Sequence, residues 1–187
     1  MTDASSFFGE TPPQEEFSWH PLAIFERVHQ RHLHQPGYLK LGRLLPRPEL
    51  ADMRTRADRL MRGEIEYDGM QFQLDAARGD HGRLTASTDR PTENSLAYRR
   101  IDGLQNDPLY LTYLQHPVFR QITRKYIGER ISVFRSIVMN KPARGGTVLP
   151  WHQDVGAGWG LTDNPTVTVW TALDAATSGS GCLQIVP

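Results

Sequence analysis

His152, Gln153 and Asp154 are the residues whose types and spacing could do chemistry at a metal ion. On an extended strand successive side chains alternate faces, so His152 and Asp154 point together while Gln153 points away. An imidazole nitrogen and a carboxylate oxygen on one face supply two ligands of a 2-His-1-carboxylate facial triad, which leaves positions on Fe(II) open. Such a triad needs a second histidine, and none follows His152 in the 187 residues. By spacing alone the pair has a plainer reading, in which His152 hydrogen-bonds within a sheet and Asp154 opens the Val155-Gly156 turn. His29, His32 and His34 make a poorer metal site, because they lack Cys or acidic partners and lie on or near an exposed helix end.

The elements that must position these residues fall in two groups. Leu22, Phe25, Val28 and Leu33 recur at helical spacing until Pro36-Gly37, and Tyr38 to Leu45 reads as a short strand. Leu50, Met53, Ala57 and Leu60 form one apolar stripe, which predicts a helix over 49–61 that Gly63 ends. Residues 63–92 read as a long loop with a few strand pieces. Asp107-Pro108 and His116-Pro117 each open a helix, the second running through Ile127 to Gly128. From Ile131 onward the pattern changes to short extended runs at 131–139, 149–154, 166–172 and 181–186, with Pro and Gly between them. Helices followed by an array of short strands predict an α+β domain with a jelly-roll-like double sheet.

Composition excludes several function classes. Hydrophobic residues at 39% and charged residues at 22% suit a soluble globular domain. Lys+Arg and Asp+Glu balance at 21 each, so charge gives no reason to expect nucleic acid or an anionic membrane as partner. A single cysteine, Cys182, allows no internal disulfide and reads as a small buried hydrophobe. No run reaches the ~20 apolar residues of a membrane span, and residues 1–18 read as a polar, flexible leader unlike a signal peptide. A soluble, intracellular, cytoplasmic protein is expected.

The setting of the His-x-Asp pair is more informative than the pair itself. Asn140-Lys141-Pro142-Ala143, Gly145-Gly146, Leu149 to Asp154, Trp159, Thr168 to Asp174 and Gly181 to Pro187 follow one another in an order and spacing that resembles the phytanoyl-CoA dioxygenase family. Gly37 to Leu41, Leu44-Leu45-Pro46 and the helix from Leu50 to Leu60 are similar to that family's amino-terminal region. The resemblance runs from Gly37 onward and is strongest from Ser136 to Pro187.

This resemblance implies a double-stranded β-helix (a cupin-like jelly roll) with amino-terminal helices, here lacking its carboxy-terminal strands, so that residues 19–187 form an incomplete domain. It implies an Fe(II) cofactor, with 2-oxoglutarate and O2 as cosubstrates. The activity it implies is a dioxygenase, an oxidoreductase that hydroxylates an unactivated C–H bond of a small organic or acyl substrate. Carried over by position, it makes His152 and Asp154 the iron ligands, with Trp170 and Ile137 against the cosubstrate. Arg100 falls where the family has a cosubstrate-binding lysine; a guanidinium can pair with a carboxylate, though with different geometry, and Arg99 is the neighbouring alternative. Trp159 and the Gly145-Gly146 loop fall at the substrate mouth. Without the resemblance Trp170 reads as core and Arg100 as a solvated charge.

Family members continue past the position of Pro187 with the distal iron histidine and a cosubstrate-binding arginine. The chain is therefore expected to be an amino-terminal fragment with little or no activity alone. Two other functions suit the same residues: a non-catalytic metal- or ligand-binding β-helix module, and a cupin-like isomerase or hydrolase independent of 2-oxoglutarate.

Overall fold

The computed structural model describes residues 37–75, 85–86, 95–143, 146, 148–154, 156–162 and 167–186. The expected leader and the helix from Leu22 to Leu33 lie outside these residues. Among those described are three α-helices, α1 (Arg47–Arg62), α2 (Pro108–Leu114) and α3 (Pro117–Tyr126), and four strands, β1 (Gln71–Leu74), β2 (Thr85–Ala86), β3 (Tyr98–Asp102) and β4 (Ile137–Met139). The strands form one antiparallel sheet in the order β2-β1-β3-β4.

α1 forms where the apolar stripe predicts it. Glu49 sits in its first turn and Arg59 and Arg62 in its last, which suits the helix dipole at both ends. Gly63 caps it at φ 74°, a left-handed conformation in which glycine carries no Cβ penalty. Met53, Ala57, Leu60 and Met61 are its buried residues, and they pack with Phe72, Tyr98, Ile101 and Val138 from the sheet. At the centre the Phe72 and Tyr98 rings meet edge to face, with centroids 5.4 Å apart.

The sheet acquires its two faces through a bulge. Phe72 pairs with Ile101 and Gln73 with Arg100, but Leu74 pairs with Tyr98, so Arg99 is the extra residue. The bulge lets Tyr98 and Ile101, three apart, share the core face, and turns Arg100 and Asp102 to the other. Asn140 holds it in place: its Nδ2 donates to Tyr98 O at 2.7 Å and Leu96 O at 3.2 Å, and its N–H donates to Arg99 O at 2.7 Å. Beyond β3 the chain turns at Gly103 (φ 85°), where a Cβ would stand 2.8 Å from Gly69 O, so only glycine fits the approach.

α2 and α3 start as their sequences suggest. The Asp107 carboxylate, fully buried, accepts from Leu109 N at 2.8 Å and faces Arg56 Nη1 at 3.5 Å. His116 Nδ1 accepts from Val118 N at 3.3 Å at the head of α3. Tyr110 of α2 is buried, and its hydroxyl donates to Met53 O at 2.8 Å. Burial raises the Tyr110 pKa well above the usual tyrosine value, and the Asp107 carboxylate pushes it further up. A folded-state pKa above the unfolded one stabilises fully below the unfolded value and loses that stabilisation as pH rises through the folded one. Unfolding free energy should therefore fall once pH passes about 10. Urea melts across that range should show a shallower fall for Tyr110→Phe than for the wild type; an identical slope would remove Tyr110 as its source.

Two expectations for strands come out differently. Residues 38–45 enter no ladder among the described residues; Leu39, Leu41 and Leu44 pack instead against Val118 and Ile122 of α3. Of the runs expected after Ile131, 137–139 alone is in a ladder among the described residues. Residues 148–154, 167–177 and 182–186 carry no strand or helix assignment apart from bends at Trp151 and at 173–174. Strand-like sequence becomes sheet when a neighbouring edge takes up its N–H and C=O groups.

Candidate active site

The His-x-Asp pair is shaped by its own backbone. Pro150 biases Leu149 towards extended conformations and leads the chain into a bend at Trp151. The bend brings His152 Nδ1 to 2.7 Å from Pro150 O. A carbonyl oxygen only accepts, so Nδ1 carries a proton, and the neutral form of that tautomer has its lone pair on Nε2. That Nε2 lies 3.6 Å from Asp154 Oδ1, with side chains 51% and 43% exposed. Both donor atoms are thus oriented together and open to solvent.

This geometry fits a metal ion. Ligand distances of about 2.1 Å would let a cation sit between nitrogen and oxygen atoms at this separation. The Nδ1–H bond to Pro150 O is the outer contact that commonly fixes the tautomer and ring plane of a ligating histidine. Among the described residues no group of three or more His, Cys, Asp and Glu side chains could hold a metal ion.

Arg100 and Ile137 stand on one face of the sheet. Arg100 pairs with Met139 and Asp102 with Ile137, and directly opposed residues share a face. Ile137 is half-buried there. The Arg100 guanidinium grips Asp102 of its own strand with Nε on Oδ1 and Nη2 on Oδ2, the latter at 2.6 Å. Arg135 Nε reaches the same Oδ2 at 3.5 Å. The solvated charge that the sequence suggests is therefore a fixed fork, 17% exposed.

Trp170 is carried by a segment laid across the helices. Val167 packs on Val118 and Ile122, Thr171 Oγ1 bonds Tyr113 OH at 2.7 Å, Leu173 joins the main core, and Asp174 pairs with Arg54 at 3.0 Å. Val167, Thr171 and Leu173 thus turn towards the helices, while Trp170 is 54% exposed on the alternate side. Burial raises the Tyr113 pKa, and its bond to Thr171 works against the rise. Trp159 closes the 3-10 turn Gly156–Trp159, and its side chain is outside the described set. Of the Gly145-Gly146 loop, Gly146 is described, at φ 111°. Cys182 is a half-buried free thiol.

The structure brings His152 to Asp154, and Arg100 to the face of Ile137; Trp170 is held separately, by the helices. Sequence reasoning missed Asn140 as the clamp on the bulge, Asp102 and Arg135 as partners of Arg100, and Lys141, whose Nζ donates to Gly181 O at 2.5 Å. For Asn140 and Lys141 the signal was their place in the Asn-Lys-Pro motif.

Comparison with known proteins shows the family of the chain. The sequence model of phytanoyl-CoA dioxygenase (PhyH) matches residues 33–187. The chain belongs to the phytanoyl-CoA dioxygenase family. It is 23% identical over 154 residues to the peroxisomal phytanoyl-CoA dioxygenase of Bos taurus, covering 81% of this chain and 43% of that protein. The Homo sapiens protein is 22% identical over the same length and coverage. A probable phytanoyl-CoA dioxygenase of Caenorhabditis elegans is 22% identical over 172 residues, 88% of this chain and 53% of its own. The chain spans about half the length of these family relatives. No solved structure is significantly similar. No helix among the described residues is long and apolar enough to cross a membrane.

Proposed function

We propose that this chain carries part of the site of an Fe(II)- and 2-oxoglutarate-dependent dioxygenase that hydroxylates an unactivated C–H bond of a small organic or acyl substrate. The observation that carries this reading is the His152–Asp154 pair, its Nε2 and Oδ1 atoms 3.6 Å apart, in a chain of the phytanoyl-CoA dioxygenase family. His152 and Asp154 would hold the iron, and a further histidine would complete the set. When bound, iron supplies the activation of O2 coupled to oxidative decarboxylation of 2-oxoglutarate.

The chain's own residues bind and orient. Pro150 O keeps the proton on His152 Nδ1, so that Nε2 faces the metal position. Arg100 would receive a carboxylate of 2-oxoglutarate, with Ile137 and Trp170 as apolar walls and Trp159 towards the substrate. We place the extended segments 148–154, 167–174 and 181–186 as strands of a double-stranded β-helix. The alternation from Trp170 to Leu173, exposed and half-buried by turns, supports that placement.

The test is succinate release from 2-oxoglutarate in the presence of Fe(II), O2 and candidate substrates. It is run on the 187-residue chain and on a longer polypeptide that supplies a further histidine as candidate ligand. The longer form is expected to turn over, and the 187-residue chain to show little or no activity. Turnover of substrate without 2-oxoglutarate would favour a cupin-like isomerase or hydrolase. Metal binding with no turnover would favour a non-catalytic module.

A further inference from the structure

On the face of the sheet that carries Arg100, the Asp102 carboxylate meets two guanidinium groups, those of Arg100 and Arg135. Asp102 engages Arg100 through both carboxylate oxygens, and Arg135 Nε stands 3.5 Å from Oδ2. The three side chains are 17%, 12% and 31% exposed for Arg100, Asp102 and Arg135.

An unpaired arginine on a strand samples many rotamers, and ordering it costs free energy when a ligand binds. Asp102 removes that cost in advance. Two residues apart on one strand, Arg100 and Asp102 share a face, and the bulge at Arg99 sets which face that is. The carboxylate takes Nε and Nη2 of Arg100, leaving Nη1–H and the outer Nη2–H as a second parallel fork of the kind that binds carboxylates bidentately.

We infer that Asp102 is a positioning residue for the cosubstrate: it presents the outer edge of Arg100 as a preoriented receptor for a carboxylate of 2-oxoglutarate, while Arg135 contacts the same Asp102 carboxylate at 3.5 Å. This inference rests on the oxygenase reading above. Asp102 touches neither iron nor substrate, and its effect passes through Arg100.

A double-mutant cycle tests it in the protein with its complete iron site. The dissociation constant for 2-oxoglutarate is measured by calorimetry with Mn(II) in place of iron, and KM and kcat by succinate release. Asp102→Asn is expected to raise both the dissociation constant and KM about ten-fold, with kcat within about two-fold, the loss expected for one charge-assisted contact. Arg100→Gln should weaken binding at least as much, and the double variant no further than Arg100→Gln alone, because Asp102 acts through Arg100. Multiplying effects, or unchanged affinity in Asp102→Asn, would overturn the inference. Thermal melts show whether each variant folds. Where Asp102→Asn does not fold, Asp102→Glu keeps the charge but displaces it by a methylene, and it should weaken 2-oxoglutarate binding in the same direction; unchanged affinity there overturns the inference equally. Wild-type protein that neither binds nor consumes 2-oxoglutarate would sink the oxygenase reading and this inference together. Wild-type binding with an unaffected Asp102→Asn would sink this inference alone.

Discussion

Replacing His152 or Asp154 by alanine should lower metal affinity and 2-oxoglutarate-dependent turnover by at least about 100-fold, because loss of a residue that merely supports a ligating histidine already costs 10–100-fold. The two variants should behave alike, since each removes one of two donor atoms that the backbone aims at one point 3.6 Å across. Gln153→Ala is the internal control. Gln153 sits between them on the alternate side of an extended chain, and its loss should change metal affinity less than two-fold, about what a surface substitution does. Titration with Co(II), followed by its visible absorption, separates these outcomes without any turnover. A Gln153→Ala variant as impaired as His152→Ala would mean that the segment, not its two donor atoms, is what matters. Equal Co(II) affinity in all three variants would move the metal site elsewhere in the chain.

How much of this is legible in the sequence follows the range of the forces involved. α1 was legible because its stripe and its capping glycine are local: Met53, Ala57 and Leu60 recur at helical spacing, and Gly63 stops the helix. The starts of α2 and α3 were legible for the same reason, each having Pro at its first position after a side-chain cap from Asp107 or His116. The orientation of His152 with Asp154 followed from alternation over two residues. β3 was not legible. Tyr98-Arg99-Arg100-Ile101-Asp102 puts two arginines in a row, and its apolar residues are three apart because of a bulge that Asn140, some forty residues on, holds in place. The ion pair on Arg100 depends on that bulge and on Arg135 arriving from the segment before β4, so no local pattern announces it. The extended runs after 140 have strand-like composition, but composition does not specify the edge against which a strand pairs.

Phe72→Ala is expected to cost about 3–5 kcal/mol of folding stability, the range for truncating a fully buried phenylalanine. Phe72 is fully buried, meets Tyr98 edge to face, and stands opposite Ile101 in the ladder, so alanine leaves a void between α1 and the sheet. Against the 5–15 kcal/mol typical of a domain, that loss brings the fold close to its limit. The consequence reaches the site because Ile101, packed on Phe72, lies between Arg100 and Asp102, whose side chains form the ion pair on the opposite face. A strand loosened on its core side no longer fixes the register of its other side. Urea unfolding should show the full loss for Phe72→Ala and a change within about 0.5 kcal/mol for Trp151→Ala, a larger ring that is 67% exposed. A calorimetric titration of Phe72→Ala at low temperature, where the folded form still dominates, should also show weaker 2-oxoglutarate binding. A stability loss below about 1 kcal/mol would contradict the placement of Phe72 at the centre of the core. A full stability loss with wild-type affinity for 2-oxoglutarate would instead show that the opposite face holds its register without it.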